Sequence, residues 1–167
     1  MSAVHVREAR PDELDEAGRL VAEAYLAIDA IAEADRWYLA EIRDARGRSR
    51  VCPILVAVDD GSGAVLGCVT YVPNPDSPLA ELEVDGEAGF RMLGVAPATQ
   101  GRGVGEALVR ACIDLARQAG RTGIAISTGP EMEAAHRLYE RLGFVRAPDR
   151  DFDPVPNVHL LAYVLAL

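Results

Sequence analysis

The sequence predicts an α/β (α+β) fold, a single domain over residues 1–167, with a mixed central β-sheet of about six to seven strands flanked by about four helices. Three observations lead there. The chain has 167 residues, 50% of them hydrophobic and 26% charged, and a chain of that size buries roughly 70% of its unfolded surface around one core without needing a disulfide or a metal. Two β-branched runs, residues 51–58 and 65–72, flank the turn DDGSG and read as an antiparallel hairpin. Beyond residue 90, strand and helix patterns alternate, and a strand–helix–strand crossover joins parallel neighbours, so the sheet is mixed.

The elements follow in order. Residues 3–6 alternate weakly as a short strand. Pro11 suits the first turn of a helix, and Asp12 and Glu13 sit at its positive end. Leu14, Ala17, Val21, Ala24, Tyr25 and Ile28 recur at helical spacing, and a second helix over about residues 32–43 carries Trp37, Tyr38 and Ile42. Residues 41–50, EIRDARGRSR, read as a polar loop whose four arginines face water. After the hairpin, Pro73, Pro75 and Pro78 break the pattern, and the stretch to Glu87 holds five acids (Asp76, Glu81, Glu83, Asp85, Glu87) and no base. Residues 90–95 are the next strand. Val104, Ala107, Leu108, Ala111, Cys112 and Leu115 stripe a helix that stops near Gly120. GIAIS at 123–127 is a strand, residues 131–142 a helix ended by Gly143, and Val145 and residues 158–165 the final strands. The terminal LLAYVLAL reads as a core strand, with a homodimer interface as the alternative, and falls far short of the ~20 residues of a membrane span.

Charge narrows the partners. There are 26 acids against 17 bases, for a net charge of −9. Such a surface repels phosphate backbones and anionic lipid, so neither nucleic acid nor membrane is expected as a partner. A cationic, amine-bearing partner suits it. All the bases are Arg. Cys52, Cys68 and Cys112 each lie in an apolar stretch with no C-x-x-C spacing, and read as reduced buried thiols rather than disulfides or a metal site. With charges from the first residues and no apolar signal core, the expected setting is cytoplasmic.

The chemistry concentrates where a strand runs into Gln100-Gly101-Arg102-Gly103-Val104-Gly105 and then directly into a helix. Glycines let backbone approach a ligand closely, and the unpaired N–H groups of a helix start favour an anion such as pyrophosphate. Arg102 is read as a mobile charge beside it. A P-loop requires Gly-Lys-Ser/Thr, and this chain has no Lys. The dinucleotide spacing G-x-G-x-x-G also fails, because Glu106 or Leu108 stands at the third glycine.

What remains resembles the GNAT superfamily of acyl-CoA-dependent N-acyltransferases. Leu93, Val95 and Pro97 followed by Gln100, Gly103 and Gly105 are similar to the family's L-x-V-x-P…Q/R-x-x-G-x-G/A segment. Downstream, AAHRLYERLGFVR at 134–146 looks like its A-x-x-L-Y-x-x-x-G-F segment. Both occur in order on the predicted elements, and the resemblance covers nearly the whole chain.

That resemblance implies a GNAT-like fold and transfer of an acetyl group from acetyl-CoA to a primary amine by direct attack, without a metal. Backbone N–H groups of Gln100, Gly101, Arg102, Gly103, Val104 and Gly105 would hold the pyrophosphate. Leu93, Gly94 and Val95 would pair with the pantetheine arm as an added strand does, with the Val95 N–H facing the developing oxyanion. Tyr139 matches the usual general acid for the departing thiolate. Glu87, then Glu83, stand where such proteins often place the general base. Many members carry Asn seven residues before the Tyr, where this chain has Met132. Two other functions are kept open: a non-catalytic acyl-CoA sensor, and an acetyltransferase for protein N-termini or side chains. The acceptor would be shaped by the first two helices, by residues 73–87 and by the final strands.

Overall fold

In β2 (Ile54–Asp59), every residue is buried. Alternate side chains enter two separate cores: Leu55 and Ala57 on one face, Ile54, Val56 and Val58 on the other. A strand with no polar face has to be covered on both sides, and the computed structural model, which describes residues 2–28 and 31–167, shows how. Among the described residues the sheet is eight-stranded, in the order β1 (Val4–Glu8), β2, β3 (Val65–Val72), β4 (Glu87–Val95), β5 (Gly123–Thr128), β8 (Val158–Ala166), β6 (Val145–Arg146), with β7 (Phe152–Val155) also on β8. The strands β1, β2, β3 and β4 form an antiparallel meander. The β4–β5 pair is parallel, and β5 is antiparallel to β8. Helix α4 (Val104–Gln118) makes the crossover, and its Leu108, Val109 and Cys112 enter the first core. Helix α1 (Leu14–Ala27) covers the opposite face with Leu14, Ala17 and Val21. The strand β8 has β5 on one side and the short strands β6 and β7 on the other, so the apolar C-terminal run is an interior strand.

The mixed sheet flanked by helices is the expected architecture, and among the described residues it has eight strands, close to the six to seven anticipated. The additional one, β7, contains Pro154 and is tolerated because it pairs on one side only. Residues 41–50 are not a loop of solvated arginines. They complete α2 (Tyr38–Arg43) and form the short α3 (Ala45–Arg48). Arg48 is buried and donates from Nε to Thr70 Oγ1 (3.1 Å) and from its terminal nitrogens to the Ile42 (2.9 Å) and Glu41 carbonyls. It caps the end of α2, taking the Ile42 carbonyl and adding a second donor to the Glu41 carbonyl, which also accepts the Asp44 N–H (3.2 Å). Arg46 pairs with Asp15 at 3.1 Å.

The α1–α2 contact is set by one residue. A Cβ built on Gly18 would lie 1.9 Å from the Arg43 carbonyl oxygen, so α1 and the end of α2 pack backbone against helix. That places Trp37 and Tyr38 above the open end of β4 and β5. We predict that Gly18→Ala destabilises the fold by roughly 1–3 kcal/mol through overpacking, measured by urea unfolding. An unchanged midpoint would show that the close approach is absent.

Candidate active site

Strands β4 and β5 pair only at Glu87↔Gly123 and Ala88↔Ile124, although β4 continues to Val95. Past Ala88 they part. A Cβ on Gly89 would sit 2.1 Å from a carboxylate oxygen of Glu83 and 2.7 Å from the Ala125 carbonyl, so Glu83 is seated where the strands begin to separate. Further along, Thr70↔Arg91 and Cys68↔Gly94 leave Val69 facing both Met92 and Leu93. This is a β-bulge, with Met92 in the left-handed region at φ 53°. A bulge bends its strand and turns backbone groups out of the ladder. The β5-facing edge of β4 from Gly89 to Val95 therefore has no strand partner. Gly94 is pressed against α1, where a Cβ would lie 2.8 Å from Val21 Cα.

The glycine turn lies just beyond this edge. Gly101 (φ 86°) and Gly103 (φ 75°) are both left-handed, and a Cβ on either would meet nothing within 4 Å, so conformation and not crowding demands glycine. Among the described residues the N–H groups of Gly101, Gly103, Val104 and Gly105 have no acceptor. They are the free donors of a helix start, backed by the dipole of a 15-residue helix. Gln100 is extended at the head of the turn. Arg102 is not mobile: its guanidinium donates to Asp59 (2.9 Å) and to the Ser2 carbonyl (2.9 Å). It pins the turn to the end of β2. Asp59 also accepts from the Ser2 hydroxyl and from the N–H groups of Ser62 and Gly61, and together these hold its carboxyl far below the usual range.

A cleft of about 750 Å³ fills the gap between the parted strands. Phe90, Arg91, Met92 and Leu93 form one wall and Ser127 to Met132 the other; Tyr25, Trp37 and Tyr38 from the first two helices and Pro154, Val155 and Asn157 to Leu160 from the β7–β8 hairpin close it above. Tyr139, on α5 (Glu133–Arg141), lines the cleft within an aromatic cluster of Phe90, Phe144 and Tyr163, with ring centroids 5.7–6.0 Å away. Burial raises its phenol pKa, with Tyr25 and Cys112 adding to the shift. The Thr128 hydroxyl, which lines the same cleft, is buried and, among the described residues, unpaired. A buried hydroxyl ordinarily finds a partner, and here the cleft is the place left for one.

The acidic segment divides its carboxylates. Glu87 lies outside the cleft lining and is held by Arg150 (3.0 and 2.8 Å) and the Val84 N–H (3.0 Å). Burial pushes its pKa up, but Arg150 and that N–H outweigh it and the net shift is downward. Glu83 accepts the N–H groups of Glu81 (2.7 Å) and Leu82 (3.1 Å), and is also outside the lining. Arg150 donates to the Leu82 carbonyl (2.6 Å) as well. Both acids singled out in the sequence thus anchor the loop. The one it presents to the cleft is Glu81, ion-paired with Arg91 at 2.8 Å. Sequence reasoning missed Glu81, Arg91, Tyr25 and Tyr38 as cleft residues. The sequence points to the acidic stretch and the first two helices as shaping the acceptor side, but no pattern in it ranks individual side chains.

A three-layer αβα domain with a parted parallel strand pair and a donor-rich glycine turn at its open end is the frame of an acyl-CoA-dependent acyltransferase. Comparison with known proteins gives the family. The chain matches the Acetyltransferase (GNAT) family over residues 14–144 and belongs to it. It is 33% identical over 128 residues to a mycothiol acetyltransferase of Beutenbergia cavernae, covering 72% of this chain and 40% of that protein. A similar match, 33% over 138 residues, is to a mycothiol acetyltransferase of Parafrankia sp., covering 74% of this chain and 43% of that protein. The chain thus spans less than half the length of these relatives. Among solved structures it resembles a GCN5-related N-acetyltransferase from Kribbella flavida, with TM-score 0.71, 27% identity and coverage of 99% of this chain and 98% of that one. It also shares its fold with yncA from Salmonella typhimurium, solved with acetyl-CoA, at TM-score 0.67 and 22% identity, over 99% of this chain and 95% of that one. Among the described residues no helix is long and apolar enough to cross a membrane.

The Glu87–Arg150 pair gives a pH prediction. A carboxylate with a lowered folded pKa contributes stability above its unfolded value, about 4.3, and that contribution is lost as pH falls through the folded value. Glu87→Gln should therefore lower the thermal midpoint at neutral pH, by roughly 2–4 °C for each kcal/mol lost. The gap to wild type should close in acid. A gap that persists unchanged in acid would contradict this.

Proposed function

We propose that this domain transfers an acetyl group from acetyl-CoA to a small primary amine by direct attack in a ternary complex. The observation that carries the reading is the unpaired β4 edge beside the unpaired donors of the glycine turn: two sets of backbone groups needing partners, at the same end of one cleft. The free N–H groups of Gly101, Gly103, Val104 and Gly105 suit a pyrophosphate, while those of Gln100 and Arg102 are taken by the Pro97 and Thr99 carbonyls and hold the turn's shape. The edge at Leu93, Gly94 and Val95 suits the amides of an extended arm. A bound thioester supplies an electrophilic carbonyl and a leaving thiolate. The protein's part is to align the amine, exclude water and manage protons.

Tyr139 is the donor to the thiolate. Its raised pKa keeps it protonated at every working pH and makes full transfer of its proton uphill on its own. It therefore acts first as a hydrogen-bond donor, and gives up its proton only as the amine nitrogen sheds one. The enclosure of the cleft by Trp37, Tyr38 and the β7–β8 hairpin favours a small acceptor over a polypeptide.

Calorimetric titration with acetyl-CoA, with AMP as control, should give a micromolar dissociation constant, about −8 kcal/mol. A panel of putrescine, glucosamine, tyramine and an alanyl dipeptide should include an amine that drives thiol release. Tyr139→Phe should cut kcat by about 10²-fold while leaving acetyl-CoA affinity in place. A folded protein that binds no acetyl-CoA would overturn the proposal. Binding without turnover on any amine would leave the sensor function in its stead.

A further inference from the structure

An ammonium acceptor has to lose a proton before its nitrogen can attack, and neither Glu87 nor Glu83 reaches the cleft. Taking the acetyltransferase reading as its basis, we propose that Glu81 is the catalytic base that takes this proton, held in place by Arg91 and by the Glu83 carboxylate. The side chain of Glu81 is 20% exposed and lies in the cleft wall. One carboxylate oxygen, Oε1, rests on Arg91 Nε at 2.8 Å; among the described residues the other, Oε2, accepts nothing. Arg91 stands on β4 immediately before the bulge at Met92 and Leu93, so the pair fixes the carboxylate beside the strand edge that suits the thioester arm. Arg91 is itself held by the Leu79 carbonyl (3.3 Å) and the Tyr38 hydroxyl (3.3 Å). From the loop side, Glu83 accepts the Glu81 N–H at 2.7 Å, a positioning contact.

The proton balance closes. The ammonium gives one proton to Glu81 Oε2, and the freed lone pair forms the carbon–nitrogen bond as the carbon–sulfur bond breaks. The second nitrogen proton replaces the one that Tyr139 passes to the thiolate. Glu81 releases its proton to water, so one proton leaves per turnover. The environment of Glu81 fits this task. Burial raises its pKa, Arg91 opposes that, and Glu83 adds to it, leaving a net rise. The other titratable groups lining the cleft are Tyr25 on α1, Asp35 just before α2, Tyr38 and Glu41 on α2, Glu131 ahead of α5, Tyr139 on α5 and His159 on β8. A base with a raised pKa loses its working form as pH falls through that value. The acid limb of kcat/KM should therefore lie above the ordinary glutamate range, about 4.3.

The test uses the full chain, acetyl-CoA and the panel amine with the fastest turnover. Wild-type binding and turnover are measured first: their absence sinks the acetyltransferase reading itself, and their presence isolates this inference. Glu81→Gln should cut kcat/KM by about 10²-fold or more, abolish the acid limb, and leave acetyl-CoA affinity unchanged. With hydroxylamine, already neutral near physiological pH, the penalty should shrink, because no proton need be removed before attack. Glu81→Asp, which keeps a carboxylate near Arg91, should recover part of the rate with its acid limb moved to lower pH, and it serves where the Gln variant fails to fold. A Glu81→Gln rate within about threefold of wild type, an equal penalty with hydroxylamine, or an unmoved limb in Glu81→Asp would each overturn the assignment.

Discussion

The separation of two strands that start out paired is the constraint on which the rest depends. Parallel pairing of β4 and β5 lasts for two residue pairs and then stops, leaving β4 with an edge inside the molecule and not at its rim. Backbone donors and acceptors away from water need partners. The fold offers none on that side: Glu83 fills only the crotch, the bulge at Met92 and Leu93 turns the strand further out of register, and β5 commits its far edge to β8. The opening is kept from closing by what is packed around it. Gly94 brings α1 onto one face and the aromatic cluster of Phe90, Tyr139 and Phe144 fills the other. A cleft with unsatisfied backbone on one wall, free helix-start donors at its end and a buried phenol at its base is a binding site for something extended, amide-bearing and anionic at one end.

Electrostatics around the cleft follow a division of labour among side chains of like charge. The segment before β4 carries an excess of carboxylates, and two of them are spent on structure. Glu87 is clamped by Arg150, which also holds the Leu82 carbonyl; Glu83 caps the loop's own amides; only Glu81 is turned inward, against Arg91. Arg102, next to the anion-binding turn, is likewise structural, since Asp59 and the Ser2 carbonyl take its guanidinium. The anion site is therefore made of backbone and helix dipole, which impose a fixed geometry that a flexible side chain does not.

Much of this was legible in the sequence, for physical reasons. The hairpin, the crossover helix and the glycine turn announce themselves because period, β-branching and left-handed glycines are local properties. The same holds for the two motif segments that bear the family resemblance, and Tyr139 lies on the cleft where its motif implied. What could not be read depends on tertiary partners. Pro154 disguised β7, because a proline is tolerated only where one strand edge is free. Arg48 looked like part of a solvated run, yet it is buried capping the end of α2. The choice among Glu81, Glu83 and Glu87 turns on where Arg91 and Arg150 arrive from distant parts of the chain, and spacing along an acidic loop carries no record of that.

Hydrogen exchange with and without acetyl-CoA tests the central claim most directly, because it reads backbone amides one segment at a time. Saturating acetyl-CoA should slow exchange both at the glycine turn, Gly101 to Gly105, and along the β4 edge at Met92 to Val95, whereas AMP should leave the β4 edge unprotected. Protection confined to the glycine turn, with β4 exchanging as it does in the free protein, would contradict the view that the parted strand edge is completed by the extended arm of the ligand.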